Sequence, residues 1–205
     1  MAKQIEGVYE RIIECAMREF LDKGYIDASL RTIAAEANTS TNSIYVRFND
    51  KEGLFAAIVE PVYEEFMSRF AATQETFHGF DSETQRTQVV QYSSDEMLKT
   101  VDYIYDHFNE FRLLLDASYG TRYNNFVDRL VSLEEEYTWK WTEATGSRLE
   151  PEGEMTKEFY HMMVTSYFEG IFEVVRHEMR REDAKKYISM MGKYHHAGFL
   201  AITGN

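Results

Sequence analysis

The sequence has few residues that interrupt helices and few that cross-link a chain. Its 205 residues include 2 prolines, 11 glycines and 1 cysteine. One cysteine excludes an internal disulfide and a cysteine-based metal site, and the shortage of proline and glycine disfavours turn-rich β-sandwiches. No apolar run reaches the roughly 18 residues of a membrane span, and the first residues lack the apolar core of a signal peptide. We therefore expect a reduced, cytoplasmic, helical protein that does not contact a membrane.

Basic residues are also scarce, with 22 Lys and Arg against 35 Asp and Glu and a formal net charge of -13. This balance alone argues against binding to nucleic acid, because phosphates attract Lys and Arg. The excess of acid is unevenly distributed, however. Residues 1–55 carry 7 basic and 9 acidic side chains, whereas residues 56–205 carry 15 and 26. The first quarter of the chain is therefore the part least repelled by a polyanion.

Apolar residues recur at helical spacing along most of the chain and predict an all-α fold. Four helices fit into about the first 70 residues: one ends before Gly24, and Ser29, Ser40 and Asp50 suit the N-caps of the next three. Asn38, which tolerates a left-handed φ, suits the turn between the second and third helices.

Later parts of the chain are less regular. Pro61 predicts a kink or a break near Glu60, because proline lacks the amide donor and clashes with the preceding turn. Residues 73–91 are polar and predict a loop or a frayed helix start, and residues 145–153, with two glycines and a proline, predict another loop. The acidic run 134–136 predicts a solvated helix face.

Two helices near the C terminus are too apolar for a single buried face. The helix over about 155–180 has one narrow polar stripe, and the last helix adds small residues that permit close approach. Two such helices meeting their copies would make a four-helix, twofold dimer interface. The residues expected in that interface are Phe172, Val175, Ile188, Met191, Tyr194, Gly198 and Ala201.

The run from Ser29 to Tyr45 has the pattern of a helix-turn-helix, two short helices joined by a tight turn. A recognition helix offers hydrogen-bonding groups at its exposed start, and Thr41, Asn42 and Ser43 supply them, although these residue types also cap and solvate ordinary helices. Lys51 in the first turn of the next helix opposes the helix dipole and favours an anion nearby, such as a DNA phosphate. An exposed lysine at small cost is the alternative.

Several short motifs together give this region a family resemblance. They are Arg11-Ile12-Ile13, Lys23-Gly24-Tyr25, Leu30-Arg31-Thr32-Ile33-Ala34, Ile44-Tyr45 and Lys51-Glu52-Gly53-Leu54-Phe55. With these motifs the first quarter of the chain resembles the TetR family of ligand-responsive transcriptional repressors. Two departures are Asn38, where the family commonly has glycine, and Pro61 in the connecting helix. The resemblance implies phosphate contacts by Ser29, Thr32, Tyr45 and Lys51, and groove contacts by Thr41, Asn42, Ser43 and Arg47, with Arg47 the best candidate for a base contact.

The same resemblance implies an architecture and a function. Residues 1–50 would form an N-terminal three-helix DNA-binding domain with a helix-turn-helix, and residues 51–205 a C-terminal helical ligand-binding and dimerisation domain whose connecting helix starts at Lys51. The homodimer would bind a palindromic double-stranded operator and release it when a small-molecule effector binds. The candidate effector residues are aromatic or soft, although each can equally be plain core: Tyr103, Phe108, Phe111, Tyr119, Tyr123, Phe126, Met162, Met163, Tyr167 and Phe168.

Other functions have less support in the sequence. A DNA-bound dimer whose second domain binds a protein partner instead of a small ligand is the first alternative. An enzyme on a helical bundle is remote, because no phosphate-binding loop, nucleophile elbow or paired acid and base is present. His195 and His196 are adjacent and point about 100° apart on a helix, so they cannot share a metal. We expect no cofactor and no metal.

Overall fold

The computed structural model describes residues 7–145 and 156–203, and within these ranges every regular element is a helix, with turns and short loops between them. The predicted all-α fold class is confirmed. Most of the loop predicted over residues 145–153 lies outside the described residues. No described helix is both long and apolar enough to cross a bilayer. The helices are α1 (Val8–Asp27), α2 (Leu30–Glu36), α3 (Thr41–Phe48), α4 (Lys51–His78), α5 (Ser82–Asp106), α6 (Phe108–Arg112) with a π-helical turn (Leu113–Ala117), α7 (Phe126–Thr145), α8 (Lys157–Arg176) and α9 (Arg181–Thr203).

The chain forms two compact units. The first contains residues up to 65 and residues 107–125, and the second contains residues 66–106 and those from 126 onward. This structural division differs from the functional division expected after residue 50, because the first half of α4 and the segment around α6 pack with the N-terminal helices. The functional division itself stays a prediction.

The first unit is built on the apolar stripe of α1. Ile12, Ala16 and Phe20 are spaced by four residues and are fully buried, as a helix that packs one face requires. The ring of Phe20 meets that of Phe55 on α4 edge to face, with 5.1 Å between centroids. Gly24 ends the regular part of α1 with φ of 71°, a left-handed conformation that glycine adopts without a steric penalty.

Three capping predictions are confirmed by hydrogen bonds. The side chain of Ser29 accepts from the amide of Thr32, that of Ser40 accepts from the amide of Ser43, and Asp50 Oδ1 accepts from a first-turn amide of α4 at 2.7 Å. Asn38 has a φ of 51°, so the turn between α2 and α3 has the predicted left-handed residue. These short-range signals place the starts of α2, α3 and α4 correctly.

Two other predictions do not hold as made. Helix α4 runs from Lys51 to His78 and contains Pro61, so the break that was one of the two outcomes expected near Glu60 is wrong. Pro61 is exposed, so water can hydrate the carbonyl group that has lost its amide donor. Residues 73–91 are likewise helical apart from a short turn at 79–81, where Asp81 accepts from two amides at the start of α5. Many polar residues of this stretch are exposed, but Gln85 is buried and donates to the carbonyl oxygens of His78 and Phe80, which lie just before and in the turn.

The second unit is a bundle of long helices. Helix α5 packs against α7 and α9, and α8 packs against α7 and α9. An ion-pair cluster joins α5 to α9: Lys185 Nζ lies 2.6 Å from Asp102 Oδ1, and Arg181 lies 2.5 Å from Asp106 Oδ1. Phe126 and Phe172 pack with centroids 5.5 Å apart in the core. The bundle surrounds the cavity described below.

Candidate DNA interface and effector cavity

Helix α3 has one buried and one exposed face. Ile44 and Phe48, four residues apart, are buried. Between them the opposite face presents Tyr45, which is 51% exposed, and Val46, which is 76% exposed. Asn42 at the start of the helix is also exposed. A short helix anchored by two apolar residues and bare on its other side has the shape that fits a DNA major groove.

Some of the predicted groove residues are hydrogen-bonded or partly buried within the chain. Arg47 is exposed, but its Nη1 donates to the carbonyl oxygen of Ser43 at 3.1 Å and to the hydroxyl of Ser43 at 2.5 Å. Thr41 and Ser43 are half-buried at the first turn. Asn42 is therefore the predicted groove residue that is exposed and carries no side-chain bond of this kind.

Val46 is a surface residue that the sequence analysis missed. Its side chain is three-quarters exposed on the outer face of α3, and an apolar side chain there can contact the methyl group of thymine in the major groove. The spacing of the apolar residues in the sequence does contain a signal for the exposure of Val46. Residue 46 lies midway between the buried residues 44 and 48, and two residues correspond to about 200° of rotation on a helix.

Lys51 is bound within the first unit. Its Nζ donates to the carbonyl oxygens of Ile26 at 2.8 Å and Ala28 at 3.1 Å, and it lies 4.7 Å from the centroid of the Tyr25 ring. These groups compensate the positive charge whose position at a helix start otherwise favours an anion. The lysine thereby ties the end of α1 to the start of α4, which neither sequence interpretation anticipated.

Other predicted phosphate contacts surround the same helix starts. The amide of Ser29 donates to Glu19 Oε1 at 2.9 Å, and the Ser29 hydroxyl caps α2, so both groups are engaged. Thr32 and Tyr45 are exposed.

Gly53 permits the close approach of α3 and α4, since a Cβ atom there would overlap the carbonyl oxygen of Phe48. The motif glycine at this position is thus a packing requirement.

The second unit contains a cavity of about 640 Å³. This volume falls within the range of about 300–1,000 Å³ that is typical of small-molecule sites. Its walls come from α4, α5, α7, α8 and α9. Four predicted effector residues line it, namely Tyr103, Met163, Tyr167 and Phe168. The other aromatic rings in its walls are Phe66, Phe70, Phe77, Tyr92, Tyr137, Trp141, Tyr160 and Phe199.

The remaining predicted effector residues lie elsewhere. Phe111 and Tyr123 are buried in the first unit, and Phe126 belongs to the core of the second unit. Tyr119 and Met162 are exposed. Phe108 is half-buried and does not line the cavity. Helical periodicity identifies buried aromatics but does not separate those that fill a core from those that border a cavity.

The main polar group of the cavity is Glu134 on α7. Its Oε2 accepts from Gln74 Nε2 at 2.6 Å, and its Oε1 lies 3.5 Å from the hydroxyl of Thr138, which in turn accepts from the Tyr160 hydroxyl at 2.6 Å. Burial raises the pKa of Glu134 from 4.5 to about 7, against the smaller lowering effect of these hydrogen bonds. The interpretation of 134–136 as a solvated face is wrong for this residue. Gln74 approaches it from α4, in a stretch that the sequence analysis took for a loop.

Burial favours the uncharged form of the three histidines of the cavity. Burial lowers the pKa of His78, His195 and His196, and the neighbouring His195 lowers that of His196 further. Two buried nitrogens, Trp141 Nε1 and His196 Nδ1, have no hydrogen-bond partner within the described ranges. The cavity therefore offers aromatic surface, unused polar atoms and two carboxyl groups, of which Glu96 is paired with Lys99 and Glu134 has the strongly raised pKa.

The predicted dimer residues are divided between core and surface. Phe172, Val175 and Ile188 are buried within the chain's own second unit, because the excess apolar surface of α8 packs against its neighbouring helices. Met191 and Gly198 are half-buried. Tyr194, by contrast, is 76% exposed.

An apolar surface does remain on the last two helices. On α9 the exposed residues Met190, Tyr194, Ala197 and Ala201 follow each other at intervals of three or four. On α8, Met162 is 66% exposed, and Phe159 lies three residues before it. We call these six residues the α8–α9 apolar face. Only Tyr194 and Ala201 belong to the predicted interface, and the other four residues of this face, Phe159, Met162, Met190 and Ala197, do not.

Comparisons with known proteins agree with this geometry. Residues 12–58 match the family model described as bacterial regulatory proteins, tetR family. The uncharacterized HTH-type transcriptional regulator YvdT of Bacillus subtilis (strain 168) is 37% identical over 60 residues, which is 29% of this chain and 31% of that protein. The match thus spans about a third of the relative's length.

Two solved structures are similar over nearly the whole chain. A TetR-like transcriptional regulator from Rhodococcus sp. RHA1 is 18% identical with a TM-score of 0.56, over 93% of this chain and 96% of that one. The fatty acid degradation regulator FadR from Bacillus halodurans is 19% identical with a TM-score of 0.51, over 94% and 97%. At these identities the similarity is one of fold.

Proposed function

We propose that this chain, which belongs to the tetR family of bacterial regulatory proteins, is a homodimeric repressor that a small-molecule effector releases from its operator. Members of the family are DNA-binding transcriptional regulators and not enzymes, so the prediction of a non-enzymatic function is confirmed. Repression, dimerisation and release are the proposed parts. A protein that acts on chromosomal DNA works in the cytoplasm, where we place it.

The observation that carries the proposal is the exposed face of α3 beside the capped starts of α2 and α4. Asn42, Tyr45 and Val46 face outward, while Ile44 and Phe48 fix the helix to the first unit. Asn42 is suited to a bidentate contact with adenine, and Arg47 to one with guanine once it leaves Ser43. Tyr45 and Thr32 would reach phosphates.

Dimerisation is supported by the α8–α9 apolar face. Its side chains Met162, Met190 and Tyr194 are at least 66% exposed, and apolar side chains grouped on one surface are typical of an interaction site. A twofold axis at this face would pair each helix with its copy, and a dimer binds two half-sites about 34–36 Å apart on one side of the DNA. The operator would then be an approximate palindrome.

Effector binding is supported by the open cavity. The aromatic side chains of its walls do not fill it, which disfavours the alternative of a DNA-bound dimer that responds only to a protein partner. An effector that binds one conformation more tightly than the other shifts the population toward it, and release follows if that conformation cannot span both half-sites. No direct contact between effector and DNA is needed.

The test is fluorescence anisotropy of the purified protein on labelled duplex DNA taken from the region flanking its own gene. Random-sequence competitor is added in excess. We expect the wild type to bind in the presence of the competitor. Asn42→Ala should lose this resistance to the competitor together with its base preference. Lys140→Ala removes an exposed cation from the second unit and should leave specific binding unchanged. Binding that random DNA abolishes would contradict specific recognition by α3.

Lys51→Ala separates a phosphate contact from a purely structural role. If Lys51 binds a phosphate as well as its two carbonyl groups, the substitution lowers the dependence of log K on log salt by about one unit. If its role is only structural, the variant unfolds at lower denaturant concentration and the salt slope stays the same. Both quantities are measured on the same preparation.

A further inference from the structure

The cavity of the second unit encloses a carboxyl group that no cation neutralises. Glu134 accepts hydrogen bonds from Gln74 and Thr138, and among the described residues no lysine or arginine is paired with it. Moving an ionised carboxylate out of water is costly unless a positive group accompanies it. Glu134 avoids this cost by keeping its proton up to about neutral pH, and a positive group bound in the open cavity would instead stabilise its charged form.

The surroundings of Glu134 favour a cation with an apolar body. The carboxyl group is near enough to Tyr160 and Tyr167 that, after burial, its charge is the next largest cause of their raised pKa values. Tyr137 and Trp141 line the same cavity. Aromatic faces carry negative electrostatic potential and attract organic cations, most strongly where water is excluded. The neutral His195 and His196 add no competing positive charge.

The basic residues of the lining do not form a comparable site for an anion. Arg69, Arg86 and Lys99 line the cavity but are exposed to solvent. Lys99 Nζ lies 2.5 Å from Glu96 Oε1, and Arg69 lies 4.7 Å from the centroid of the Tyr103 ring. An organic acid would have to compete for these groups in water, where such pairs contribute little.

We propose that the effector of this protein is a lipophilic organic monocation, a quaternary ammonium or a protonated amine, whose charge lies against Glu134 within the aromatic walls of the cavity. The inference rests on the proposed role of this cavity as the effector site. The cavity of about 640 Å³ admits one such molecule with an alkyl or aromatic body. Gln74 and Thr138 hold the carboxyl group in place.

Three probes with the same chain test the charge of the ligand: octyltrimethylammonium, 1-octanol and octanoate. Each is titrated into the full-length protein by calorimetry below its micelle concentration, and release of labelled operator is followed in parallel by anisotropy. We expect one site per chain for the cation, with a Kd at least about tenfold below that of the alcohol, and the weakest binding for octanoate. Tighter binding of octanoate or of the alcohol than of the cation would overturn the proposal.

Two variants separate the cavity from the acidic surface, which could itself attract cations. Glu134→Gln preserves the shape and hydrogen bonding of the side chain and should raise the Kd of the cation about tenfold or more, while that of 1-octanol changes little. Glu136→Gln removes an exposed charge from the same helix and should leave both unchanged. An equal loss in both variants would mean surface binding only and would refute the site.

Release of DNA distinguishes the two proposals. Glu134-dependent binding of the cation without release of operator would support the ligand class and contradict the effector mechanism. Release by octanoate that is insensitive to Glu134→Gln would support the effector mechanism and contradict the ligand class. If no probe binds, the cavity does not accept monocations of this class, and the inference fails while the DNA-binding function stands.

Discussion

Replacing Glu134 by glutamine should stabilise the protein at alkaline pH and much less at acidic pH. In the folded state burial holds the pKa of this carboxyl group at about 7, whereas an unfolded chain gives it the ordinary value of 4.5. Well below pH 4.5 the group is protonated in both the folded and the unfolded state, so the folded state has no ionisation penalty. As the pH rises to 7 the unfolded state loses the proton first, so the folded state becomes progressively less stable relative to it.

The magnitude follows from the difference between the two pKa values. Each unit is worth 1.36 kcal/mol, so the penalty approaches about 3 kcal/mol above pH 7 and is below about 1 kcal/mol at pH 5. Glutamine carries no charge and avoids this penalty, and its side-chain oxygen still accepts from Gln74. The difference in unfolding free energy between Glu134→Gln and the wild type should therefore be about 2–3 kcal/mol larger at pH 8 than at pH 5.

The assay is urea denaturation of both proteins at pH 5 and pH 8, at one fixed protein concentration because a dimer's stability depends on it. Glu136→Gln, which loses an exposed carboxylate from the same helix, serves as the control and should show no such difference between the two pH values. A Glu134→Gln variant whose stability relative to wild type is independent of pH would refute the raised pKa, and with it the enclosed position of the carboxyl group.

Two further predictions concern surfaces. If Val46 contacts a thymine methyl group, replacing that thymine by deoxyuridine should weaken wild-type binding by about 0.8 kcal/mol, roughly fourfold in Kd, and Val46→Ala should remove this sensitivity. Anisotropy on a set of singly substituted operators measures binding by both proteins. Equal sensitivity in the variant would contradict the contact. Tyr194→Glu should convert a dimer to a monomer in size-exclusion chromatography with light scattering, because it places a charge in the middle of the α8–α9 apolar face; a variant that remains dimeric would locate the interface elsewhere.

Short-range chemistry made the DNA-binding half of the chain predictable. Ser29, Ser40 and Asp50 each cap a helix through the residue three positions later, and Asn38 forms its turn locally, so a short stretch of sequence contains both partners of each interaction. The roles of Arg47 and Lys51 were less accessible. Lys51 is held by carbonyl groups 23 and 25 residues earlier, which no local pattern reveals.

The cavity depended on contacts between distant segments. Glu134 accepts a hydrogen bond from Gln74, which lies 60 residues earlier on a helix whose polar sequence predicted a loop. Phe126 and Tyr167 are both aromatic residues at helical spacing, yet one fills the core and the other borders the cavity. Their difference arises from the packing of five helices and is absent from the period of any one of them.

The hydrogen bonds between Arg47 and Ser43 set a threshold for recognition by the free protein. Because the guanidinium already donates to two oxygens of its own helix, DNA must offer two acceptors of similar geometry before turning the arginine outward gains any free energy. Guanine presents two such acceptors on one edge in the major groove, whereas an arbitrary phosphate reached at the wrong angle does not. The bonds to Ser43 therefore subtract the cost of breaking them from any contact that Arg47 makes with DNA, so the side chain turns outward only at a site that offers acceptors good enough to replace them.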